Sequence, residues 1–131
     1  MSPIVPYAHE WTRRKRRAIL QGSDFVDVVT FPVTGGIAIN WTGFLVRAQL
    51  RNDFADATNG FLAEINCTII DPVARTVRFR IPAAVTRTLP AQCCAGRWDA
   101  ELYRFDTEGT ETDTARFVQG RWELSQEVTR A

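Results

Sequence analysis

The sequence predicts an all-β domain: an antiparallel β-sandwich, immunoglobulin-like or jelly-roll-like, with one short helix and an extended N-terminal arm. Three observations carry the prediction. Short apolar runs alternate with period two and are separated by turn-forming residues, the signature of strands at close spacing. Only Pro82 to Leu89 has helical texture. The two longest runs, Arg97 to Phe105 and Thr114 to Leu124, meet across one polar loop and organise the rest. A length of 131 residues suits one domain, residues 18–131, preceded by a basic arm, residues 1–17. With 45% hydrophobic residues, four Trp and eight Phe, most of the chain falls outside the disordered class.

Met1 to Glu10 contains Pro3 and Pro6, which exclude a regular helix or central strand, and the apolar residues Ile4, Val5 and Tyr7. Such an arm has too little mass to fold alone, so it drapes over its own domain or docks on a neighbouring subunit. Trp11 is an assembly anchor in the second arrangement and a self-packed residue in the first. The basic run Arg13, Arg14, Lys15, Arg16 and Arg17 follows. It reads as a solvated segment or as a patch for an acidic protein surface. Phosphate binding ranks lower, because no second basic cluster extends a nucleic-acid track.

Ala18 to Leu20 makes a short strand, Gln21 to Asp24 a tight turn, and Phe25 to Phe31 a second strand. Both faces of that second strand are partly apolar, with Val29 and Phe31 on one and Val26 and Val28 on the other, so both are expected to be covered. Pro32 ends it, and Gly35-Gly36 makes the next loop flexible. Phe44, Val46, Ala48 and Leu50 alternate with Leu45, Arg47, Gln49 and Arg51 in the cleanest period-two run. Asn52 to Gly60 is turn chemistry, after which Phe61 to Ile70 and Thr76 to Ile81 are strands joined through Asp71-Pro72. Pro82 suits a first helical turn and Pro90 stops the helix.

In the organising hairpin, Trp98, Ala100 and Leu102 fall on one side and Asp99, Glu101 and Tyr103 on the other, as in a half-buried strand. The connection from Asp106 to Asp113 is expected to be a mobile, acidic tip. On the return strand Trp122 and Leu124 do not share parity with Phe117, and a bulge at Gly120 is expected to reconcile them.

The net charge of +1 gives no overall attraction to nucleic acid or to an acidic membrane. Charge is nevertheless segregated: basic at residues 13–17, acidic at Asp106, Glu108, Glu111 and Asp113. Three cysteines, with Cys93 and Cys94 adjacent, do not make a disulfide framework and suit a reduced site of synthesis. There is no signal-like start and no apolar run of membrane-crossing length, so a soluble protein not secreted by the usual route is expected.

No catalytic constellation emerges, and no catalytic residue, metal or cofactor is expected. His9, the only histidine, reads as an exposed bystander in the arm. Cys67, Cys93 and Cys94 lack paired metal-ligand spacing and read as small buried side chains. Asp99 with Glu101, and Glu108 with Glu111, are carboxylate pairs with nothing to place them in a cleft. Gly35 and Gly36 lack the remainder of a phosphate-cradling loop. Trp41, Trp98 and Trp122 leave a carbohydrate-binding module as a reading of another class, although Trp98 and Trp122 lie on faces read as core.

Several phrases occur in a telling order: Gln21-Gly22-Ser23-Asp24-Phe25; Ile39-Asn40-Trp41-Thr42-Gly43-Phe44 with Ala48-Gln49-Leu50-Arg51; Gly96-x-Trp98-Asp99-x-Glu101-Leu102; and Gly120-x-Trp122-Glu123-Leu124 closing on Glu127-Val128-Thr129-Arg130. Over roughly residues 18 to 130 they resemble small tailed-bacteriophage virion proteins, similar to the β-sandwich N-terminal domain of baseplate upper and fibre-attachment proteins. Trp41 and Ser23 depart from the usual leucine and direct Gly-Asp pairing, and the basic start has no counterpart. The resemblance implies a non-enzymatic structural protein of the tail, baseplate or fibre-attachment region. It would assemble in the host bacterial cytoplasm with other virion proteins and copies of itself. A head decoration or cement protein is the second reading. Tyr7, Trp11 and the basic residues 13–17 form the expected assembly arm, with no small-molecule substrate, no membrane and nucleic acid disfavoured.

Overall fold

The computed structural model describes residues 6–33, 39–52, 61–89 and 95–125. Readings that concern Ile4 and Val5, Gly35-Gly36, the turn before Gly60, Pro90, Cys93-Cys94 and Glu127 to Arg130 lie outside the described residues. The elements are β1 (Tyr7–Ala8), β2 (Ile19–Leu20), β3 (Phe25–Thr30), β4 (Leu45–Asn52), β5 (Phe61–Asp71), β6 (Thr76–Ile81), α1 (Ala83–Thr86), β7 (Ala95–Phe105) and β8 (Glu111–Ser125). The protein is all-β with one short helix. Pro82, extended at φ −64° and ψ 153°, precedes that helix. Thr86 fixes it to the turn before β3, its hydroxyl donating to the Ser23 carbonyl at 2.8 Å.

The strands form one hydrogen-bonded path, β1-β8-β7-β4-β5-β6-β3, with β2 also on β8. The path curls into a half-barrel, where two separate sheets were expected. The reason lies in β5: its Ala63 to Ile65 pair with β4 and its Asn66 to Asp71 pair with β6. One long strand thus turns the corner and keeps the ladder continuous. β1 and β2 run parallel to β8, whereas all other neighbours are antiparallel.

The alternation read in β7 is the alternation seen: Trp98, Ala100 and Leu102 are buried and Asp99, Glu101 and Tyr103 half-buried. The bulge in β8 is not at Gly120. Ala100 pairs with Val118 and Glu101 with Arg116, so Phe117 is the extra residue, and both Phe117 and Val118 point into the core. Gly120 sits opposite Trp98. A second expectation also fails, because Val26 and Val28 on β3 are 53% and 52% exposed. β3 ends the strand path and has only its Phe25 and Val29 face against the core.

Inside the curl lies an aromatic core. Trp11 stacks on Trp98 with ring centroids 3.7 Å apart and planes 8° from parallel. Phe79 meets Trp98 edge-on at 5.2 Å, and Phe117 meets both Phe31 and Trp41 at 4.9 Å. Buried indole N–H groups need acceptors, and three find them across the fold: Trp11 donates to Asp27, Trp98 to the His9 carbonyl, and Trp122 to the Arg51 carbonyl.

Candidate interaction surfaces

From Tyr7 to Gln21 the chain is laid along the outer edge of β8 as an interrupted strand. His9 N–H donates to the Gln119 carbonyl at 3.1 Å, Trp11 N–H to Arg121 at 2.9 Å, and Gln21 N–H to Ser125 at 2.9 Å, while the Trp11 carbonyl accepts from Glu123 at 2.8 Å. Between these contacts the five basic residues leave the sheet in a closed loop. The Thr12 carbonyl accepts from Lys15 and Arg17, the Arg13 carbonyl from Arg16, and Arg16 adopts φ 58°. Arg13, Arg14, Lys15, Arg16 and Arg17 are all exposed. Tyr7 is partly exposed, with its ring edge-on to Phe31. Trp11 is fully buried, so of its two expected arrangements the structure places it in the self-packed one.

His9 is not an exposed bystander. It is buried, and its Nε2 lies 2.7 Å from Asp27 Oδ2, which also accepts the Trp11 indole N–H at 2.8 Å. Asp27 belongs to β3 and the two donors to the segment on β8, so these bonds join opposite ends of the strand path. Burial raises the Asp27 carboxyl, yet hydrogen bonds from His9 and Trp11, with the charges of His9 and Arg17, outweigh it and hold the group below its usual value. Gly120 makes this closure possible: a Cβ there would collide with the His9 carbonyl oxygen.

On the outer face of the sheet, register assembles a second basic cluster that the sequence reading lacked. Arg51 pairs with Arg97 and Arg97 with Arg121, which puts three arginines in one row across β4, β7 and β8. Like charges directly opposite one another destabilise a sheet. Together with Arg116 they border an open groove of about 580 Å³ that also contains Gln49 and Asp99. Burial raises the Asp99 carboxyl despite Arg116 and Arg51 nearby. The groove adjoins the basic loop, whose Arg13 N–H donates to Glu123 at 2.7 Å.

The other end of the β7–β8 hairpin is acidic. The connection is shorter than expected, running from Asp106 to Thr110, and it is closed by hydrogen bonds: Asp106 Oδ1 accepts from the Glu108 and Thr110 amides, both at 2.9 Å. Glu111 and Asp113 lie within β8, on Arg47 at 2.8 Å and Arg104 at 2.5 Å. The Arg47 hydrogen bond, with one from Thr114, holds the Glu111 carboxyl down at about 2.

Trp41, Trp98 and Trp122 are at most 1% exposed, so none offers the ring face that carbohydrate stacking requires. Among the described residues no group of three or more His, Cys, Asp or Glu is placed to hold a metal ion. Asp99 and Glu101 face arginines, at 3.5 Å from Arg116 and 2.9 Å from Arg47 respectively. The Cys67 thiol is pushed by burial to about 12. No protein-family model matches the sequence, and no curated protein matches it.

Proposed function

We propose that this chain is a structural protein of a bacteriophage virion, placed in the tail, baseplate or fibre-attachment region and acting by protein–protein assembly without catalysis. Its partners are other virion proteins and further copies of itself, and assembly takes place in the host bacterial cytoplasm. The observation that carries the reading is the segregation of charge on one folded body. An exposed basic loop and an in-register arginine row occupy one end of the β7–β8 hairpin, and an acidic turn occupies the other. Charged surfaces of this kind select and orient partners. In the same reading the module is sandwich-like: β3 and β6 form one wall, β4, β7 and β8 the other, and β5 turns between them.

The test is location. Particles of a phage that encodes the chain, purified and labelled with a gold-conjugated antibody against it, should carry label at the tail or its distal end. Particles that lack the chain altogether would overturn the proposal.

A further inference from the structure

β3 is where the strand path stops. It pairs with β6 from Phe25 to Thr30. In an antiparallel pair alternate residues direct their N–H and C=O to the partner strand, and the residues between them direct theirs away. Among the described residues nothing takes up that second set, because the β3 backbone makes no hydrogen bond beyond its ladder with β6. Open edges are ordinarily guarded by proline or by charged side chains. The outward residues here are Val26, Val28 and Thr30, and the one charge, Asp27, is turned inward onto His9 and Trp11.

The edge borders a groove of about 240 Å³, lined by Asp24, Phe25, Val26 and Asp27 on one side and by Arg16, Arg17, Ala18 and Leu20 on the other. Leu20 and Val26 are each 53% exposed and give it an apolar lining. Cations stand on both sides of the valines. Arg16 and Arg17 come from the basic loop, while Arg80 and Arg78 lie opposite Val26 and Val28 on β6. Arg80 is on Asp24 at 3.5 Å and Arg17 acts on Asp27. The exposed Arg16 and Arg78 side chains have no hydrogen bond or ion pair among the described residues.

We infer that the open edge of β3 takes an additional strand from a partner protein, an extended peptide in which apolar residues alternate with acidic ones. The inference rests on the assembly reading and names the partner's chemistry within it. Main-chain groups of the peptide would pair with the free N–H and C=O groups of β3 over about 20 Å, at 3.3 Å per residue. Its apolar side chains would cover Val26 and Leu20, and its carboxylates would meet Arg16 and Arg78. A second copy of β3 is the poorer occupant, because its only carboxylate is the Asp27 already engaged within its own fold. A phosphate backbone is poorer still, since it offers nothing to the apolar lining and would pass the Asp24 carboxylate.

Fluorescence anisotropy on the full chain provides the test, with labelled eight-residue peptides that alternate valine with glutamate, serine or lysine. Affinity should fall in that order, and the glutamate form should weaken as salt is raised. Two further glutamate peptides carry N-methyl groups on alternate residues, one in each phase. One should bind and the other should not, because only alternate N–H groups of an added strand face its neighbour. Arg16→Asp, a residue type that accepts the φ of 58° found there, should weaken the glutamate peptide by about fivefold or more while circular dichroism is unchanged. Absence of binding at millimolar peptide would overturn the inference. So would equal binding of the two methylated forms, an all-glutamate peptide that binds as tightly as the alternating one, or an Arg16→Asp chain that binds as wild type does. A chain found in particles that binds none of these peptides would sink this inference and leave the virion proposal standing, and peptide binding by a chain absent from particles would do the reverse.

Discussion

Trp11→Ala asks whether the N-terminal segment is part of the domain or an appendage to it. The Trp11 ring is fully buried, stacked on Trp98 at 3.7 Å and edge-on to Phe25 at 4.8 Å. Truncating a buried tryptophan costs about 3–5 kcal/mol, and the stacked geometry argues for the upper part of that range. The indole N–H is lost as well, which leaves the part-buried Asp27 with His9 alone and adds about 1 kcal/mol. Against a total stability of about 5–15 kcal/mol for a domain, this is a large fraction. At about 4 °C per kcal/mol for a chain of this size, the combined cost of about 4–6 kcal/mol should lower Tm by roughly 16–24 °C. Urea unfolding followed by far-ultraviolet circular dichroism measures the change. Trp11→Phe, which retains a ring but not the donor, should fall between, at about 1–2 kcal/mol. If Trp11→Ala cost less than about 1 kcal/mol, the ring would not be a core residue and the argument that the segment completes the fold would fail.

Three further outcomes follow from the same geometry. Gly120→Ala should displace the segment carrying His9, destabilise the protein by about 1–3 kcal/mol or more, and speed proteolysis after Arg13 to Arg17; unchanged cleavage would contradict the close approach. Because the folded Asp27 carboxyl titrates below its unfolded value of about 4, its contribution is complete above that pH and fades as pH falls through the folded value. Asp27→Asn should therefore lose stability at neutral pH and show a flatter acid limb than wild type, and an identical acid limb would count against the closure. With Cys93 and Cys94 replaced by Ser, Cys67 at about 12 should react with a disulfide reagent at pH 8 on the order of a hundredfold more slowly when folded than in urea.

What could be read in the sequence was what period and turn chemistry control. Trp98, Ala100 and Leu102 alternate with polar residues because one face of β7 is buried, and that face is visible in the order of residues alone. The parity conflict between Phe117 and Trp122 was equally visible. Its position was misread, because glycine marks many bulges, whereas Gly120 serves close contact with the His9 carbonyl. The interaction surface was hidden for a different reason. Arg51, Arg97 and Arg121 are far apart in sequence and become a cluster only through strand register. His9 looked solitary because its partner, Asp27, sits on a strand that pairs with β6 and reaches the histidine only when the sheet curls.

The pairing of β1 and β2 with β8 also sets an order of events during synthesis. Trp11 is joined to Trp122 by a parallel bridge, and a ribosome adding 5–20 residues per second takes roughly 6–20 s to travel between them. For that interval the nascent chain carries an unpaired segment whose ring, histidine and edge hydrogen bonds await a strand not yet translated. Such late, long-range closure makes for slow folding. It also gives the exposed run of five cations time to meet any polyanion in the cell before the acidic residues Asp106, Glu108, Glu111 and Asp113 are made. A refolding experiment begun from the full chain would skip that stage entirely, so the yield obtained in the cell and the yield obtained from denaturant report on two different histories of the same edge.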